Sequence, residues 1–149
     1  EKPLRVELLG LTFVAFRDED GAAHVLADTC VHRGGSLSSG VINKGRVACP
    51  YHGWEFNGSG SCAHIPSLPN DKVPARAKVD SYPIQERYGI VFAFLGDLPE
   101  EERPPLYDIE EFGTEGWKTQ LYVLDVACNY ERSVENGLDP IYNEFVHPA

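Results

Sequence analysis

The 149-residue sequence has no methionine, only four cysteines and little positive charge, and each shortage excludes something. Thirteen Lys and Arg stand against 23 Asp and Glu, a net charge of −10, with no basic cluster anywhere along the chain. Phosphate backbones are held by such clusters, so a nucleic-acid partner is excluded. The longest apolar run, Ile90-Val91-Phe92-Ala93-Phe94-Leu95, falls far short of the roughly 20 residues that cross a bilayer, and no membrane span is expected. Four cysteines would suit two disulfides in a small secreted domain, but Cys30 and Cys49 each have a histidine close behind at ligand spacing, which points to metal. Cys62 and Cys128 are left over, and each reads as a small buried hydrophobe. The chain opens at Glu1 without Met or signal peptide and reaches a strand-like run at Arg5–Leu9 almost at once, so its start reads as trimmed. The expected compartment is the bacterial cytoplasm, or an organelle if a targeting segment was removed, and not the secreted space.

What is present is a globular composition: 42% hydrophobic residues, with seven Tyr, seven Phe and two Trp. The length suits one domain of roughly 100–150 residues and a short piece of a second. Up to Leu95 the pattern is of short strands parted by turns: Arg5–Leu9, Thr12–Arg17, His24–Ala27, Arg46–Cys49, Trp54–Phe56, Lys78–Asp80, Ile84–Glu86 and Ile90–Leu95. Asp18-Glu19-Asp20-Gly21 and Asn57-Gly58-Ser59-Gly60 supply hairpin turns. This predicts a mainly β fold, a small antiparallel sandwich or barrel over 1–96. Residues 97–116 form an acidic, Pro-containing connector, in which Arg103 is the lone cation. Residues 117–149 read as the opening of an α+β domain whose remainder is absent, with a strand over Trp117–Ala127 and a helix over Asn129–Asn136.

The chemistry concentrates in two short loops. Cys30-Val31-His32-Arg33-Gly34-Gly35 and Cys49-Pro50-Tyr51-His52-Gly53-Trp54 each offer one thiolate and one imidazole, with sixteen residues between His32 and Cys49. Two thiolates on one iron and two neutral imidazoles on the other would hold a [2Fe-2S] cluster whose histidine-bound iron takes the electron. Gly34, Gly35 and Gly53 would let backbone amides approach sulfide. Leu37, Tyr51 and Trp54 read equally as a water-excluding wall or as ordinary core. A Cys2His2 zinc module is the competing assignment, but zinc motifs usually part their paired ligands by two residues or more, whereas Cys30 and His32 are parted by one.

These loops resemble the Rieske iron–sulfur domain, and Leu4–Leu95 resembles the amino-terminal domain of Rieske non-haem iron oxygenases. The resemblance implies Cys30, His32, Cys49 and His52 as cluster ligands. Respiratory and photosynthetic Rieske proteins carry a disulfide at the positions of Gly35 and Tyr51 and a serine donor where Trp54 stands. Their absence implies a potential toward the low end of the roughly −150 to +300 mV Rieske range.

The tail sharpens the resemblance. Glu135 to His147 resembles the catalytic-domain motif of the oxygenases, matching at Asn136, Asp139 and His147. Tyr142 stands where the family has the first of two histidines that bind a mononuclear Fe(II), and the carboxylate that completes that site lies beyond Ala149. Asp139 would bridge a cluster histidine of one subunit to an iron ligand of its neighbour in a homotrimer; its plainer role is a helix-terminal cap before Pro140. The family implies a reductase or ferredoxin as electron donor, a small organic substrate, and a parent oxygenase; this chain by itself is not expected to catalyse oxygenation. His64-Ile65-Pro66-Ser67-Leu68-Pro69 resembles the branch of pheophorbide and chlorophyllide oxygenases and vanillate-type demethylases. A stand-alone Rieske ferredoxin remains as an alternative, one that leaves residues after Leu95 unexplained.

Overall fold

The computed structural model describes residues 2–69, 72–142 and 146. Ten strands follow in order: β1 (Leu4–Leu8), β2 (Leu11–Arg17), β3 (Ala23–Ala27), β4 (Val41–Asn43), β5 (Arg46–Ala48), β6 (Glu55–Phe56), β7 (Cys62–His64), β8 (Ser81–Tyr82), β9 (Ile84–Arg87) and β10 (Ile90–Ala93). Three two-residue turns, Leu9-Gly10, Lys44-Gly45 and Tyr88-Gly89, join β1 to β2, β4 to β5 and β9 to β10, with both residues of each at positive φ. That backbone matches the twist of paired strands, and it explains the glycine in second place.

The strands form three antiparallel sheets, ordered β1-β2-β3-β8, β4-β5-β6-β7 and β9-β10. Among the described residues no pairing closes a barrel, so the mainly β expectation holds as open sheets. Val14, Phe16 and Leu26 of the first sheet share one core with Val47, Phe56 and Cys62 of the second, and Leu37, Ile65, Ala77 and Val79 complete it. Burial of each large aliphatic or aromatic side chain stabilises by about 1.5–3 kcal/mol. The opposite face of β2 carries Phe13, which is also buried, with the ring of Tyr82 edge-on at 5.0 Å.

The 18–21 turn is locked by Asp18, whose Oδ1 accepts from the backbone N–H of Asp20 and Ala22 and whose Oδ2 lies 2.7 Å from His24 Nε2. The His24 ring also rests against Gly58, at the tip of the β6–β7 hairpin, where any Cβ would collide with the imidazole. This contact ties the first sheet to the second.

Several expectations need correction. The strand placed at Lys78–Asp80 forms at Ser81–Tyr82, with Lys78 making only an isolated bridge to Ser61. β4 and β7 were not anticipated, because each has three residues and no alternation long enough to read.

The chain separates into two units, Glu1–Pro105 and Leu106–Ala149. In the second, α1 (Tyr130–Leu138) forms where a helix was expected, its first turn capped by Asn129, which accepts from the Glu131 N–H at 2.9 Å. Trp117–Ala127 forms no strand. Its apolar residues fall on both faces and stay exposed, Val123 at 82% and Leu124 at 81%, and among the described residues the segment has no ladder partner. Cys128 is likewise exposed rather than buried, while Cys62 is buried as expected.

Candidate metal centre

Both motif loops are built on one backbone frame. The Cys30 N–H donates to the Gly35 carbonyl at 2.8 Å and the Gly34 N–H to the Cys30 carbonyl at 2.9 Å. In the second loop the Cys49 N–H donates to the Trp54 carbonyl at 2.8 Å and the Gly53 N–H to the Cys49 carbonyl at 2.9 Å. The glycine four residues after each cysteine takes a left-handed φ, 71° at Gly34 and 70° at Gly53, which turns the chain back on itself. Gly35 is a glycine for another reason: a Cβ there would stand 2.9 Å from Cys49 Sγ and 3.4 Å from Tyr51 Cβ. Positions 35 and 51, where the respiratory branch carries its disulfide, are therefore neighbours across the two loops.

The side chains sort by chemistry and depth. Cys30 and Cys49 are 2% and 3% exposed, and their thiols lie in contact with each other. Burial, then the neighbouring Cys49 thiol, pushes the Cys30 thiol up to about 11, against the pull of N–H groups that His32 and Arg33 direct at its sulfur. Those N–H groups are the anion-holding geometry that thiolate and sulfide require. His32 and His52 stand at the surface with ring centroids 4.6 Å apart. Desolvation first, then the charges of His52 and Arg33, lowers the His32 pKa toward the neutral, metal-binding form.

The surroundings divide the expected wall. Leu37 is fully buried in the core, and the half-buried Trp54 indole stacks on His32 at 4.5 Å and 5°. Tyr51 is 64% exposed, its ring 4.0 Å from that of His52 and tilted by 31°, so it covers the imidazole face rather than forming core. The stretch His64–Pro69 packs against the second loop, with Ile65 buried and the Pro66 ring where a Cβ on Gly53 would point.

Two buried carboxylates under the loops were missed by sequence reasoning. Asp28 accepts from Ser36 Oγ at 2.7 Å and from the Ser38 N–H at 2.6 Å; Glu55 accepts from Asn43 Nδ2 and, at 3.5 Å, from Arg46. The signal was weak, since an acidic residue beside a loop ordinarily reads as solvated.

The donor set fits a two-iron group. A mononuclear zinc site needs three or four donors converging on one point. Among the described residues no three His, Cys, Asp or Glu side chains do so. The thiols pair with each other and the imidazoles with each other, as two irons with two protein ligands each require.

In the second unit, Asp139 ends α1, and its Oδ1 accepts from the Ile141 N–H at 3.1 Å, which is the capping role. Asn136 Nδ2 donates to the Tyr142 hydroxyl at 3.2 Å. His147 lies outside the described residues.

Residues 1–83 match the Rieske [2Fe-2S] domain. The chain belongs to this family. It is 36% identical to the oxygenase component of dicamba O-demethylase from Stenotrophomonas maltophilia, over 100% of this chain and 44% of that protein. It is also 36% identical to chloroplastic chlorophyllide a oxygenase from Chlamydomonas reinhardtii, over 96% of this chain and 21% of that protein. Among solved structures, dicamba monooxygenase bound to dicamba superposes with a TM-score of 0.84 at 34% identity, covering 100% of this chain and 44% of that one. The Rieske chain thus spans less than half the length of these relatives, and the likeness extends past the cluster domain into residues 106–149. No helix among the described residues is long and apolar enough to cross a membrane.

Proposed function

We propose that this chain is the electron-accepting part of a Rieske non-haem iron oxygenase, with Cys30 and Cys49 holding one iron of a [2Fe-2S] cluster and His32 and His52 the other. The observation that carries the reading is the sorting of donors into a buried thiol pair and an exposed imidazole pair on two matched loops. When bound, the cluster supplies reversible one-electron storage. The residues do the rest. Buried Cys30 and Cys49 keep water from the thiolate side, and the first loop aims the His32 and Arg33 N–H groups at the Cys30 sulfur. Trp54 and Tyr51 hold the imidazoles by their faces and leave their edges open to an electron donor.

The donor is a reductase or ferredoxin, and the electron's destination is a mononuclear iron that activates dioxygen for a small organic substrate. Likeness to oxygenases over 96% or more of the chain supports this against a stand-alone ferredoxin. The boundaries at 96 and 116, a homotrimer bridged through Asp139, and a cytoplasmic or organellar location belong to the same reading. Tyr142 sits where the family places an iron-binding histidine, and its hydroxyl is engaged by Asn136. With His147 the only matching histidine of the tail motif, this chain alone does not assemble the second iron site.

The test is cluster loading of single variants. Cys30→Ser and Cys49→Ser should each reduce bound iron and acid-labile sulfide to background. His32 and His52 replacements should remove the mixed-ligand EPR signature. A normal cluster in Cys49→Ser would overturn the ligand assignment.

A further inference from the structure

The first cluster loop is closed at its base by a charge the proposed function does not use. Asp28 is 5% exposed, two residues ahead of Cys30. Oδ2 accepts from Ser36 Oγ and Oδ1 from the Ser38 N–H, so both oxygens are engaged as acceptors. The main chain repeats the clasp: the Leu37 N–H donates to the Asp28 carbonyl at 2.8 Å, and Thr29 bridges Ser36. Residues 28–29 and 36–38 thus pinch together the ends of the segment that carries Cys30 and His32. Glu55, under the second loop, differs, because Arg46 stands against it. The partners of the Asp28 carboxylate are a hydroxyl and an amide, both neutral.

We infer that Asp28 is the positioning residue of the first loop, holding its two ends in register, and that its buried negative charge makes the site harder to reduce. Two residues of chain reach at most about 7 Å between α-carbons and the two side chains add a few ångströms each, which places the carboxylate within roughly 10–15 Å of whatever the Cys30 sulfur binds. At an effective dielectric of about 20, a full charge at that range changes an electron-transfer equilibrium by about tenfold. Among the described residues no cation pairs with Asp28, and that is what gives the charge this leverage. The inference rests on the proposed cluster assignment.

The test is an EPR-monitored redox titration, with dithionite as electron source, of the loaded 149-residue protein and two variants. Asp28→Asn keeps the shape and removes the charge. It should move the reduced-to-oxidised ratio at fixed poise about tenfold toward reduced, about 59 mV upward for a one-electron couple. Ser36→Ala keeps the charge and removes a dipole that compensates it, so its potential should move the other way by a smaller amount. A merely structural clasp would move both variants in the same direction. That outcome, or an unchanged potential in Asp28→Asn, overturns the inference while leaving the cluster assignment intact. If Asp28→Asn takes up no cluster, Ser36→Ala decides: a downward shift supports the inference and an unchanged potential overturns it. A parent protein that takes up no iron and sulfide overturns the functional reading itself.

Discussion

The two cluster loops share a frame but not a ligand spacing. Both close with a cysteine N–H bonded to the carbonyl five residues on, and both turn at a glycine four residues on. Yet the histidine follows the cysteine by two residues in the first loop and by three in the second. The backbone therefore fixes where each thiol goes, and the offset within the turn decides from which side each imidazole arrives, so the rings meet at 4.6 Å rather than colliding. The loops also differ in support. The second grows from the β5–β6 ladder, through Val47 opposite Phe56 and Ala48 opposite Glu55, whereas the first depends on the Asp28 clasp.

The largest expected effect separates the two reasons for glycine within the first loop. Gly35→Ala drives a Cβ to 2.9 Å from Cys49 Sγ, so cluster content, read as iron and sulfide per chain, should fall several-fold or vanish. Gly34→Ala meets no atom within 4 Å and suffers only the left-handed φ. It should keep its cluster while losing about 1–2 kcal/mol of stability in denaturant unfolding. Equal losses of cluster in both variants would break the distinction.

Next in size is the second loop's hold on the first. Trp54→Ala removes the ring stacked on His32, and should change the EPR line shape and quicken cluster loss to a chelator. Trp54→Phe, which keeps a stacking face, should restore most of the parent behaviour; stacked pairs contribute about 0.5–1.5 kcal/mol. An unaltered spectrum in Trp54→Ala would show that the stack does not reach the ligand.

The smallest effect lies away from the loops. The His24 hydrogen bond to Asp18, and the Arg17 hydrogen bond to Glu86, hold these carboxyls below their ordinary values. A carboxylate with a depressed folded pKa stabilises above its unfolded pKa, near 4, and that contribution is lost as pH falls through the folded value. Thermal midpoints of Asp18→Asn should therefore lie below the parent near neutral pH and converge with it in acid. A constant gap across the range would contradict the linkage.

How much of this was legible depended on whether the reason was local. The cluster loops announce themselves because cysteine, histidine and glycine at fixed offsets have few other uses in series. The Asp18–Gly21 and Asn57–Gly60 hairpins were legible for the same reason, the helix behind Asn129 likewise. Lys44-Gly45 carried a signal for β4 that went unread, since that strand is only three residues long, although β5 beyond the turn was expected. Asp28, Glu55 and the Trp54–His32 stack were illegible, because their partners come from other turns and only folding reveals them. Trp117–Ala127 failed in the opposite way: its pattern suits a strand, but a strand exists only with a partner to receive its hydrogen bonds.

The most direct measurement is iron, zinc and acid-labile sulfide analysis of the purified chain, with an EPR spectrum after dithionite reduction. The account predicts two irons and two sulfides per chain, as a [2Fe-2S] group contains, and a mixed histidine–cysteine signal. Zinc without sulfide would contradict it.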